Sequence, residues 1–71
     1  MARIAKVIEI IGTSENSWQE AADNALAEAA QTIAFITGIE VDQMTADVRD
    51  GKVENFHTTL KIAFAVERAN E

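Results

Sequence analysis

The sequence predicts an α+β domain of order β-α-β-β, in which a three-stranded antiparallel sheet of spatial order 1-3-2 packs on one helix. Three observations lead there: an Ile- and Val-rich run over residues 3–11 that stops at Gly12, a capped stretch of helical spacing that opens at Ser17, and a final run from Val53 to Glu67 with period two throughout. At 71 residues, the chain is read as a single domain, 1–71.

The first strand, RIAKVIEII, carries apolar side chains on both faces, Ile4, Ile8 and Ile10 on one and Ala5, Val7 and Ile11 on the other. A strand of that kind needs cover on two sides. The helix supplies one cover and a neighbouring subunit is expected to supply the other.

Ser17 with Glu20 fits a capping box, the hydroxyl accepting from an amide of the first turn while the glutamate reaches back to the cap. Trp18, Ala22, Ala25, Leu26, Ala29, Ile33 and Ile36 then follow three- and four-residue spacing, against a polar face that includes Gln19, Glu20, Asp23 and Glu28. The many alanines favour helix and let its axis lie close to the sheet. Thr37–Gly38 is the expected helix end, with glycine suited to a left-handed closing position.

Ile39 to Val48 reads as a second strand, interrupted by Glu40, Asp42, Gln43 and Asp47. Asp50–Gly51 inside RDGK is a two-residue hairpin signal, and Asp47 is grouped with it as turn rather than as part of a calcium loop, whose spacing it does not match. In the third strand Phe56, Thr58, Leu60, Ile62, Phe64 and Val66 share one face, with His57, Thr59, Lys61, Ala63, Ala65 and Glu67 on the other. The helical crossover makes strands one and two parallel and the hairpin reverses strand three. Every pairing is therefore antiparallel if strand three lies in the middle.

Twelve acidic residues against six basic ones give a net charge of −6, which argues against nucleic-acid and anionic-membrane binding, since both need clustered cations. Small cations are the favoured charged partners. With no cysteine and one histidine, neither disulfides nor a thiolate or imidazole metal set can supplement so small a core. Self-association is left, so an obligate oligomer is expected. No leader or spanning segment precedes the first strand, and a cytoplasmic location is expected. No nucleophile motif, metal set or phosphate loop is present, so the chain is not read as an enzyme.

The stretch VIEIIGTSENSWQEAADNALAEAAQTI, followed by IEV and FHTTLKIAFAVE, resembles the dodecins over nearly the whole chain. The resemblance implies a hollow homododecamer that binds and stores a small ligand, typically FMN or a riboflavin-type flavin, and in some members coenzyme A or ions. In flavin-binding members a tryptophan just after the helix, commonly preceded by aspartate, stacks on the flavin ring; that pair aligns with Thr37–Gly38. A flavin-bonding glutamine aligns with His57, and an arginine that meets ligand phosphates in some members aligns with Thr45. Loss of the stacking ring implies weakened flavin binding. The stretch IIGTSENSW is similar to a subset that carries tryptophan at the position of Trp18, including a calcium-binding dodecin. The alternative is therefore a non-flavin shell that binds calcium or is purely structural, with Glu40 and Asp42, two apart on one strand, as carboxylate candidates. Trp18 itself is expected to pack rather than to stack on ligand.

Overall fold

The computed structural model describes residues 2–68, with side chains placed from Ile4 to Val66. Strand β1 runs Ala2–Ser14, helix α1 Trp18–Ala30, strand β2 Ile36–Arg49 and strand β3 Lys52–Arg68. Both outer strands pair antiparallel with β3, so the sheet order is β1-β3-β2, as the sequence predicts. The reversal is set by Asp50 and Gly51, both at positive φ (53° and 76°), the geometry that a two-residue hairpin matched to strand twist requires.

Helix α1 begins where the cap predicts. Ser17 is extended, and its hydroxyl accepts from the Glu20 amide at 2.9 Å. The reciprocal half of the box is absent: the Glu20 carboxylate accepts from the Asn16 side-chain amide, while the Ser17 N–H donates to Ser14 Oγ. Ser14, buried at the end of β1, also accepts from the Asn16 amide. The polar run between strand and helix is thus a chain of mutual caps.

The helix ends at Ala30, not at Thr37–Gly38, and this corrects the sequence reading. The amide of Ile33 still bonds back to Ala29 O, but Phe35 takes φ 63°, and its carbonyl accepts from the Ala65 amide. That reversal brings residues 36–38 onto β3, where Ile36 pairs with Phe64 and Gly38 with Ala63. Pairing on the central strand therefore overrides helical periodicity. Ile33 and Ile36 still pack against the core, which is why their spacing mimicked a longer helix.

Gly12 explains the close seat of α1. A Cβ at this position would fall inside the Ala21 carbonyl oxygen and 2.9 Å from Ala25 Cβ. The buried stripe is Ala21, Ala25 and Ala29, facing Leu60 and Ile62 of β3. Its phase is one residue earlier than the predicted stripe at the helix start, where Trp18 and Ala22 were expected inward.

The helix makes most of its contacts with β1 and β3 and, apart from a bond from Trp18 at its first turn, leaves β2 uncovered. On the helix side of β2, Ile39, Val41, Met44 and Val48 stay exposed, and on the opposite sheet face so do Val7 and Ile11. Chain dimensions of 58 × 19 × 12 Å and a radius of gyration of 15.2 Å describe a slat, whereas a compact domain of this length has a radius of about 11 Å. Among the described residues no helix is long and apolar enough to cross a membrane.

Candidate ligand site on the helix-free sheet face

The register decides which sequence-predicted positions meet. His57, on central β3, has Thr13 of β1 on one side and Thr45 of β2 on the other. All three face away from the helix, because the alternate residues Phe56 and Thr58 point toward it. The structure therefore brings Thr45 and His57 together.

Thr37 and Gly38 lie elsewhere on the same surface. Gly38 pairs with Ala63, six residues along β3 from His57, which corresponds to about 20 Å. Thr37 sits in an irregularity of the pairing between Ile36 and Gly38, its hydroxyl 3.4 Å from the Ala63 carbonyl oxygen. Within one chain the four candidate residues form two separate pairs. At the Gly38 end, a depression of about 220 Å³ is lined by Val7, Gly38, Ile39, Glu40, Lys61 and Ala63. Nothing lies within 4 Å of where a Gly38 Cβ would be, and its φ is not in the left-handed region.

At the other end the His57 ring is held on both nitrogens. Nδ1 is 3.2 Å from Thr13 Oγ1, and Nε2 is 3.4 Å from Asp47 Oδ2. A carboxylate only accepts, so in the neutral ring Nε2 carries the proton and Nδ1 accepts from the threonine hydroxyl. That tautomer leaves no free N–H. What the ring then offers a ligand is its face. Hydroxyl, imidazole and carboxylate have the connectivity of a catalytic triad, but both contacts are at the long end of the hydrogen-bond range. Here the ring ties three strands together.

Sequence reasoning missed Thr13 and Asp47. Thr13 lies past the Gly12 that ends the predicted first strand, Asp47 was grouped with the turn residues, and only the cross-strand register places both beside His57. Asp47 is in β2, as the Ile39–Val48 strand reading has it, and not in the turn.

Trp18 packs, as expected, and does so by specific bonds. Its indole N–H donates to the Thr45 carbonyl at 2.8 Å, and its ring meets Phe56 edge-on with centroids 4.8 Å apart. Its own carbonyl accepts from the buried Thr58 hydroxyl at 2.8 Å.

The two cation candidates are split by a bulge. Glu40 pairs with Lys61, whereas the pairing shifts between Val41 and Gln43 and leaves Asp42 as the extra residue. Strict alternation, which had placed Glu40 and Asp42 on one face, does not hold across a bulge. Among the described residues no three His, Cys, Asp or Glu side chains group around a point that could hold an ion.

A protein-family model described as Dodecin matches residues 4–67. The dodecin of Thermus thermophilus is 28% identical over 67 residues, covering 94% of this chain and 97% of that protein. Among solved structures, the dodecin of Streptomyces coelicolor superposes with a TM-score of 0.88 at 31% identity, over 94% of this chain and 96% of its own. The calcium-chelating calcium dodecin of Mycobacterium tuberculosis, described with a novel calcium-binding site, gives 0.78 at 32% identity over 96% of each chain.

Proposed function

The chain belongs to the dodecin family, and from that premise we propose that it assembles into a hollow homododecamer that binds and sequesters a small ligand without transforming it. The carrying observation is the uncovered sheet surface. Apolar Ile11 stands exposed beside the Thr13–His57–Thr45 row and Val7 beside Gly38 at the other end, on a slat-shaped chain whose helix covers only part of the other face. A surface of this kind is finished by another copy, and a ligand held there would be enclosed by more than one chain.

The ligand class that fits the His57 end is a planar aromatic such as a riboflavin-type flavin or FMN, taken on the ring face because both imidazole nitrogens are engaged. Gly38 supplies no stacking surface at the other end, so flavin affinity is lower than an indole at that position would give. Light scattering tests the assembly, with twelve times the 7.7 kDa chain mass expected. Riboflavin fluorescence titration tests the ligand. A stable folded monomer at micromolar concentration overturns the shell, and the absence of quenching overturns the flavin reading.

Similarity to the calcium-chelating relative favours a second reading, a shell that binds calcium or other cations. Glu40 and Asp42 of several copies, meeting at a symmetry axis, would then supply the oxygen ligands that one chain lacks. Calcium calorimetry on the assembled protein separates the two readings. Residence in the cytoplasm, and a shell that meets neither nucleic acid nor membrane, complete the proposal.

A further inference from the structure

We infer that Trp18 is a positioning residue for the Thr45–His57 pair, a role that rests on reading that pair as a ligand contact. Helix α1 packs on β1 and β3, so β2 is held chiefly by its pairing with β3. That pairing is irregular: it shifts between Ile36 and Gly38, between Val41 and Gln43, and again between Ala46 and Asp47. The last shift falls one residue beyond Thr45, between Ala46, which still pairs with Phe56, and Asp47. Opposite it, Asn55 takes φ 53° and is the residue left without a partner.

A strand that can place its extra residue at more than one point has competing registers, and a one-residue slip exchanges the two faces. A slip at this end would turn Thr45 and Asp47 away from His57. The Trp18 bond opposes that slip. Its indole N–H reaches from the first residue of α1 to the Thr45 carbonyl at 2.8 Å. Trp18 is in turn fixed to β3 by the Thr58 hydroxyl on its carbonyl and by the Phe56 ring. The side chain therefore references β2 to β3 at the register pair that carries Thr45 and His57. It acts from the helix side of the sheet, so it leaves the ligand face free.

The experiment compares the assembled wild type with Trp18→Phe, which keeps an aromatic edge on Phe56 and deletes the N–H. A second variant carries 3-benzothienylalanine at position 18, matching the indole in shape without the donor. Amide hydrogen exchange is the ligand-independent readout. Faster exchange confined to residues 44–48 in both variants, with α1 and the β1–β3 pairing unchanged, is expected. Acceleration spread over the whole chain, or none, overturns the register role. Riboflavin titration is the second readout, with affinity expected to fall about threefold to tenfold for a lost hydrogen bond. Unchanged affinity beside locally faster exchange overturns the ligand-positioning role. If the wild type binds no riboflavin, the flavin reading falls, and the exchange pattern alone upholds or overturns the register role.

Discussion

Gly12 and Ala21 approach so closely that a Cβ on the glycine would overlap the Ala21 carbonyl oxygen and stand 3.0 Å from its carbonyl carbon. The atoms in the way belong to the helix backbone and cannot rotate aside. Gly12→Ala must therefore lift α1 from β1, separating Ala25 and Ala29 from Leu60 and Ile62. A loss of about 3 kcal/mol is expected, at the upper end for overpacking, because the buried core is small. Urea unfolding measures it, and a shift below about 0.5 kcal/mol would show that the helix is not seated on Gly12.

The N-terminal cap separates two residues that the sequence treats as a pair. Ser17→Ala removes the acceptor for the Glu20 amide and should cost about 1 kcal/mol. Glu20→Gln keeps an oxygen acceptor for Asn16, and the carboxylate it replaces does not close the cap. Its thermal midpoint should stay near the wild type. Equal losses in the two variants would restore the full capping box.

Strand order, the hairpin and the helix start were legible because each is written locally: alternation in β3, Asp50–Gly51, and Ser17 at its cap. The helix end was not. Ile33 and Ile36 contact the core at helical spacing although the chain has already left the helix, so periodicity reports which residues turn inward and not which backbone carries them. His57 stood out in the sequence as a candidate, but its partners did not, since Thr13 and Asp47 reach it through pairings 44 and 10 residues away. The same limit applies to Glu40 and Asp42. Their two-residue spacing is sequence, while the bulge between Val41 and Gln43 is a property of the paired strands.

That bulge makes the cation reading testable residue by residue. Glu40 has Lys61 as its cross-strand partner, which already offers its carboxylate a positive charge. Asp42, the extra residue, has no such pairing. If calcium binds where copies meet, Asp42→Asn should weaken it at least tenfold, and Glu40→Gln should weaken it less. Calorimetry on the assembled variants reads both. Calcium binding unchanged in the double variant would remove these two residues from any ion site.

Gly38→Trp bears most directly on the ligand. As a helix terminator with positive φ, residue 38 would reject a bulky side chain. The structure instead places it in β2, paired with Ala63, outside the left-handed region and with open space around its Cβ position. An aromatic in an exposed strand carries no backbone strain and suits β geometry better than glycine does. The variant should therefore fold and assemble like the wild type. It would also set an indole beside the depression lined by Val7, Lys61 and Ala63. One recovered stack contributes roughly 1 to 3 kcal/mol, by analogy with nucleobases, and should raise riboflavin affinity about tenfold to a hundredfold. Light scattering and riboflavin titration on the same samples keep assembly and binding apart. An assembled variant with no gain in affinity would mean that the ring at position 38 has no flavin to meet, and the cation-binding or structural shell would then stand in place of the flavin reading.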